Sequence, residues 1–401
     1  MKKLPKQQVF KDPIYGFIHV DDLLFKKIID SELFQRLRRI RQLSGVQMVF
    51  HGAEHSRFVH SLGVYEIANR FLTVPDIKDV LTDREKMLFL AAALLHDIGH
   101  GAYSHAFETT FGVNHEEIGA KLITTNKELR SILDLEDEHF AEDVAKILRK
   151  EKKFPMIEQL ISSQLDVDRL DYLERDAYYT GAAYGHIDVD RLIRVLYIKD
   201  GKVVFKLSGI HAIENYLIAR YHMYWQVYYH PVARAYEVNL EKIYKRVKYL
   251  LETDYPFESN VEPLKRIMND SNDLDAYIEI DDFYINGLIA SFLKSKDDIL
   301  RHLAHDFMNR KIWGYINDTD ENRKRIEEIK ASFLPEEVDY FTSYRTVFNS
   351  TYRDDGEGFG DKIYILLENG KISSLKDQSK IIESLMLSGT KNDPKFFYRK
   401  Q

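Results

Sequence analysis

Met87 to His96 read MLFLAAALLH, an uninterrupted apolar stretch closed by an imidazole. Its Ala and Leu content favours helix over strand. Thr82-Asp83-Arg84-Glu85 just before it reads as a cap, with Thr accepting from a free amide and Glu reaching back from three residues on. A helix that is apolar on every side belongs in the interior, so its end delivers whatever follows from the core to a cavity. Here that is His96 and Asp97, and then Gly99 and Gly101, where the helix is expected to end. The two ligand-type residues point about 100° apart on a helix, so both reach one ion only if it sits beside the helix.

At 401 residues the chain has room for two or three folding units, or for one extended helical domain with appendages. Up to about residue 185 apolar positions recur at helical spacing, as in Leu24, Ile28, Leu33, Leu37 and Ile40. Around Asp200-Gly201, and again around Asn369-Gly370 within 361–375, β-rich runs flank a turn dipeptide and predict hairpins. The expected fold is mainly α, a helical core with small β-hairpins and a mixed α+β C-terminal region. The expected divisions are 1–190, 191–340 and 341–401.

Composition removes several classes of function. There are no cysteines, hence no disulfide framework, thiolate metal site or Cys nucleophile, and a reducing cytoplasm is expected. The basic N-terminus lacks an apolar stretch, and no apolar run approaches the roughly 18 residues of a membrane span. Net charge is -7, from 57 basic and 64 acidic residues, which gives no reason to expect a protein that coats a polyanion. Arg36, Arg38, Arg39 and Arg41 could form a local nucleic-acid contact, but Leu37, Ile40 and Leu43 bury one face and scatter the arginines around the others. The 25 tyrosines could stack a base, although core and interface filling is the simpler use.

Five clusters hold the chemistry: Arg57 to His60, His96-Asp97, His100 to Glu108, His115-Glu116 and Asp166 to Asp176. A His-Asp pair alone is common and usually structural. Several imidazoles at the end of a buried helix are different, because buried imidazoles need partners. His60, His96, Asp97 and Asp168 form an N/O set suited to a divalent Mg, Mn, Fe, Ni or Zn. His100, His105 and His115 are too many for the same ion and suit phosphate contact and proton transfer, with Glu108 able to orient a ring. Arg57 shares a helix face with His60, and Arg169 adjoins Asp168. Fixed positive charge beside a cation is costly unless an anion bridges them, which points to a substrate with several phosphates. The alternative for both arginines is pairing with acids such as Glu54 or Asp171.

In this order, R-x-x-H, HD, H-x-x-x-x-H, HE and D-x-D-R-x-D-Y-x-x-R-D resemble the HD-domain deoxynucleoside triphosphate triphosphohydrolases. DPIYGFI, FQRLRRIRQL and GAEHSRFVHSLGVYE resemble the same branch, and the likeness runs from about Val9 to Glu383. It implies that His60, His96, Asp97 and Asp168 bind the metal, with Arg57, His100, His105, His115 and Arg169 around the triphosphate. His115 would be the catalytic histidine, polarised by Glu108 and Glu116, and His100 joins that set. Glu108 stands where the vertebrate branch has the shorter aspartate. The resemblance further implies sugar contacts from Tyr172, Asp176 and Tyr228, a distal-phosphate contact from Arg220, and Gln42 and Leu43 on the base side. Tyr224 replaces a vertebrate histidine. Asp30, Gln35 and Arg38, with Val9 and Arg191 nearby, match residues that read a guanine in a separate pocket between subunits and favour a tetramer.

The expected activity is metal-dependent hydrolysis of dNTPs to deoxynucleoside and tripolyphosphate, activated by dGTP or GTP. The alternatives are an HD-type enzyme acting on nucleoside monophosphates, cyclic nucleotides or guanosine polyphosphates, and a non-enzymatic nucleotide sensor or nucleic-acid scaffold with a structural metal.

Overall fold

The computed structural model describes residues 3–349, 352, 362–387 and 391–400. It opens with an antiparallel hairpin of β1 (Lys3–Asp12) and β2 (Gly16–Asp22). Asp12 closes the turn by accepting from the amides of Ile14 and Tyr15 at 2.8 and 3.0 Å, and Gly16 takes the left-handed φ of +78°. Most of the first 185 residues are helical as expected, and this N-terminal hairpin is the exception. β1 is almost wholly exposed, so it lacks the apolar alternation by which a strand is read.

The periodic stretch from Leu24 to Ile40 is likewise divided, into α1 (Leu23–Asp30), α2 (Glu32–Arg36) and a short 3₁₀ turn at Leu37–Arg39. Ser31 is the reason: its backbone is extended, and its hydroxyl accepts from the Phe34 amide to begin the next helix.

The core is built on α3 (Arg57–Phe71) and α4 (Asp83–Leu95), with α5 (His105–Phe111), α6 (His115–Thr125) and α7 (Val167–Thr180) around them. The predicted capping box at Thr82 and Glu85 is present, and every residue from Met87 to Leu95 is buried. The helix stops at Leu95, earlier than the glycines suggested; His96 is its cap, and residues 96–99 form a turn. Gly99 has another task. A Cβ there would come within 2.1 Å of the His115 carbonyl oxygen and 2.3 Å of the Gly119 amide, so its lack of a side chain lets this turn lie against α6. Gly63 does the same between α3 and α7, where a Cβ would meet Asp171 Oδ1 at 1.9 Å.

The predicted hairpin at Asp200-Gly201 is β3 (Leu196–Lys199) and β4 (Lys202–Lys206), with both turn residues at positive φ. Helix α8 (Ile210–Met223) runs into a π-helical turn over Tyr224–Tyr228 and then into α9 (Pro231–Glu252), followed later by α10 (Asp282–Phe292). Such π turns add a residue to the helix and turn its side chains, and they concentrate at functional sites.

The last third supplies β5 (Gly314–Asn317), β6 (Thr342–Asn349), β7 (Tyr364–Leu366), β8 (Ile372–Ser374) and β9 (Lys391–Tyr398). β7 and β8 form the second predicted hairpin around Asn369-Gly370, while Asp361 lies outside the described residues. β7 pairs parallel to β4 in a sheet ordered β3-β4-β7-β8, and β9 lies between β5 and β6 in another. Among the described residues no helix is long and apolar enough to cross a membrane.

Candidate active site

The end of α4, the first turn of α3 and the first turn of α7 converge. His60 Nε2 and His96 Nε2 stand 3.1 Å apart. Asp168 Oδ1 is 3.1 Å from the first and 3.6 Å from the second, and Asp97 oxygens lie 3.7 and 3.3 Å from them. Each ring's other nitrogen is committed: His60 Nδ1 donates to Asp171 Oδ2 at 2.7 Å, and His96 Nδ1 donates to the Ala93 carbonyl at 2.9 Å. Two Nε2 lone pairs and two carboxylates therefore face one point, which is repulsive without a cation between them. Nearest-neighbour spacings of this size suit ligands about 2.1 Å from a shared ion. The residues present thus fit a divalent metal.

The electrostatics agree. Burial works against charge on His60, but hydrogen bonds to Asp168 and Asp171 push the imidazole up to about 10, as though a positive charge were required there. Burial also opposes charge on Asp97, yet Arg57, His96 and His100 hold its carboxyl well below the usual range. Asp171 itself is fully buried. Arg175 Nε and Nη2 donate to its oxygens at 2.8 and 3.0 Å, Tyr15 donates at 2.8 Å, and Arg175 Nη1 reaches Asp12 at 2.8 Å.

Beside this set lies a second one. His115 Nδ1 donates to Glu108 Oε1 at 2.7 Å, and the His115 ring stacks on His100 with centroids 3.8 Å apart. His100 Nε2 is 3.2 Å from Asp97 Oδ1. Burial, and then the neighbouring Arg57, keep His100 well below the ordinary histidine range, so it is a neutral donor. Arg57 Nη1 donates to Asp97 Oδ2 at 2.6 Å, while Nε and Nη2 donate to the Ser104 hydroxyl at 3.1 and 2.8 Å. Ser104 adopts a φ of +44°, a strained conformation for a residue with a side chain, held where its hydroxyl is used.

A cavity of about 630 Å³ opens over both sets. Its walls continue over Gln42, Leu43 and Ser44 to Tyr172, Asp176, Tyr224 and Tyr228. Asp176 is fixed from two sides, with Oδ1 2.7 Å from His55 Nε2 and Oδ2 accepting from the Tyr228 hydroxyl at 2.8 Å.

The model of the HD domain matches residues 57–176, the segment that supplies both histidine sets, and that of the HD-associated region matches residues 187–338. Protein YwfO of Bacillus subtilis is 41% identical over 99% of this chain and 93% of its own length. The chain belongs to the HD-domain phosphohydrolases. The crystal structure of a phosphohydrolase from Bacteroides thetaiotaomicron is similar throughout, with a TM-score of 0.87 and 31% identity over 99% of this chain and 100% of that one. Chicken deoxynucleoside triphosphate triphosphohydrolase SAMHD1 is 28% identical over 78% of this chain and 56% of its own length. The protein is accordingly a metal-dependent phosphohydrolase.

Within this HD phosphohydrolase the expected residues are distributed unevenly. Arg57, Gln42, Leu43, His60, His96, Asp97, His100, His115, Glu116, Asp168, Tyr172, Asp176 and Tyr228 line the one cavity. Glu116 turns away from His115 to pair with Lys150 at 2.8 Å, leaving Glu108 as the partner of that imidazole. The side chain of His105, at the start of α5, lies outside the described residues. Arg169 donates to Asp166 and to the Ser163 carbonyl, and Arg220 Nη1 donates to Gln164 Oε1 at 3.0 Å. Among the described residues each keeps a buried Nε without a hydrogen-bond partner.

The five residues expected in a separate pocket stand outside the cavity. Lys26 pairs with Asp30, Gln35 accepts from Arg38 Nε at 2.8 Å, and the Arg38 guanidinium covers the Phe58 ring. Val9 is half exposed on β1, and Arg191 Nη2 donates to the Ser208 carbonyl at 2.7 Å. The neighbouring arginines do not form a basic stripe: Arg36 is buried against the carbonyls of His100, Tyr277, Ile278 and Ile280, Arg39 pairs with Asp281, and Arg41 pairs with Glu54.

Sequence reasoning passed over Ser104, His55 and the Tyr15-Asp12-Arg175 support of Asp171. Arg175 alone left a local signal, standing one helical turn after Asp171. The others meet their partners only through the fold.

Proposed function

We propose that this protein hydrolyses deoxynucleoside triphosphates to deoxynucleoside and tripolyphosphate. The observation that carries the reading is the continuity of one cavity from the His60-His96-Asp97-Asp168 set, past Arg57 and the His100-His115 pair, to Tyr172, Asp176 and Tyr228. Relatives bearing the name deoxynucleoside triphosphate triphosphohydrolase support the choice of substrate.

His60, His96, Asp97 and Asp168 would hold the divalent ion, which when bound supplies Lewis-acid stabilisation of phosphoryl charge and eases deprotonation of water. The chain's own groups do the rest. Water attacks the α-phosphorus and the bond to the 5′ oxygen breaks. Arg57, anchored by Asp97 and Ser104, sets positive charge where the phosphoryl oxygens become more negative. His115 donates a proton from Nε2 to the departing 5′ oxygen, while Glu108 fixes its tautomer through Nδ1 and stabilises the imidazolium form. Asp176, with one lone pair on each oxygen already used, keeps the other pairs for the 3′-hydroxyl. The Tyr228 ring beside it would exclude a 2′-hydroxyl by contact, which would select dNTPs over rNTPs. Arg169 and Arg220 turn their free donors to the distal phosphates when substrate enters.

A guanine nucleotide at Asp30, Gln35 and Arg38, with Val9 and Arg191 alongside, would activate the enzyme by joining subunits into a tetramer. Product chromatography after incubation with each dNTP and several divalent metals tests the main reading. Tripolyphosphate is the expected product; pyrophosphate or orthophosphate would replace this reading with another HD-type hydrolysis.

A further inference from the structure

The cavity does not end at the tyrosines. Ser44 donates to the Tyr103 carbonyl at 2.8 Å, next to the serine that anchors Arg57. Gly45 lies so close to Ala233 on α9 that a Cβ would stand 3.0 Å from its carbonyl oxygen. From the next residue onward, α9 lines the cavity with Arg234, Glu237 and Glu241, and Arg345 of β6 lines it too.

Three of these four are already engaged. Arg345 pairs with Glu241, and Arg234 donates to Asp393 Oδ2 at 2.9 Å and to the Arg345 carbonyl at 3.0 Å. Glu237 is the remainder. It lines the cavity, and among the described residues its carboxyl forms no hydrogen bond and no close ion pair. Burial pushes this carboxyl up to about 7, against the pull of Arg234 and Arg345. Arg234, Arg345 and Lys395, which pairs with Asp393 at 2.8 Å, face the carboxylates of Glu241 and Asp393, so an ionised Glu237 completes the balance of charge. What it lacks is hydrogen bonds, and a ligand bearing N–H donors would supply them. Gln42 lines the same cavity, and its Oε1 is buried without a hydrogen-bond partner among the described residues. Two acceptors in one cavity, neither of them among the residues that would meet phosphate and sugar, suit a ligand with a hydrogen-bonding edge.

We propose that Glu237 reads the nucleobase, its carboxyl accepting from adjacent N–H donors and so favouring guanine; this rests on the deoxynucleotide reading given above. Guanine presents N1–H and the N2 amino group side by side, matching the two oxygens of a carboxylate. Thymine presents a single N–H between two carbonyl oxygens, and those oxygens would face the carboxylate's lone pairs. Adenine and cytosine offer one amino group beside a ring acceptor and fall between.

The test is kcat/KM for all four dNTPs with the full chain, a saturating divalent metal, and the isosteric Glu237→Gln beside Glu237→Asp, each variant first shown to melt cooperatively. The ratio of kcat/KM for dGTP to that for dTTP should fall about tenfold in Glu237→Gln, which turns one acceptor into a donor. An unchanged ratio, including an equal loss for all four bases, overturns the proposal. Should the wild type release tripolyphosphate from none of the dNTPs, the substrate reading fails by itself. Equilibrium binding of dGTP and dTTP to wild type and Glu237→Gln then decides the role of Glu237: selective loss of dGTP affinity supports it, and equal affinities reject it.

Discussion

His60 sits between two carboxylates and a second imidazole, and its ring is held up to about 10 by hydrogen bonds that outweigh burial. In chelator-treated protein it therefore carries a proton near neutrality. Because the folded value lies above the unfolded value of about 6.5, the stability that His60 contributes is full below about pH 6.5 and is lost as pH rises toward 10. A divalent ion must displace that proton. Calorimetric titration of metal at pH 7 in buffers of different ionisation enthalpy should show net proton release and an affinity that rises with pH. Proton-neutral binding would contradict the proposed ligand set. His115 belongs to a different part of the chemistry, since it contacts Glu108 and His100 rather than the ligand cluster. His115→Ala should lower kcat about 10²–10⁴-fold with dNTP binding retained, and near-normal turnover would remove it from the mechanism.

At the scale of elements, the two histidine sets meet because a turn and a helix approach more closely than side chains allow. Gly99 touches the first residue of α6 and its Gly119, so the position of His115 depends on a missing Cβ at Gly99. Gly99→Ala should cost about 1–3 kcal/mol through overpacking. Activity should fall more than the lower melting temperature explains, because α6 must shift and carry His115 with it. A variant as stable and active as the wild type would show that α6 is not seated this way. The sequence marks Gly99 only as a helix stop, and the structure shows the helix already ended at Leu95. The glycine's use is tertiary contact.

For the molecule as a whole, the proposed regulatory residues stand outside the cavity, so nucleotide bound there can act only by changing assembly or the position of the elements that line the site. Asp30 and Gln35 belong to the two helices that precede the wall residues Gln42 to Ser44, and Arg38 to the turn after them. If dGTP activates through this region, sedimentation should show a larger oligomer with dGTP in the wild type and none with Arg38→Ala, together with a loss of dGTP-stimulated hydrolysis of the other dNTPs. Hyperbolic kinetics insensitive to dGTP in both proteins would eliminate the activator. Much of the site was legible beforehand: local order alone placed His96 and Asp97 at the end of a buried helix and Arg57 one turn before His60, and turn chemistry located both later hairpins. Those features depend on neighbours within a few residues, and helix and turn periodicities report such neighbours directly. Tertiary structure alone decided that Asp171 orients His60, that Ser104 holds Arg57, that Glu116 serves Lys150 rather than His115, and that Glu237 faces the same cavity as His60 and His96. Each of those outcomes depends on which residues distant in sequence are brought side by side, and that is settled only when the helices pack.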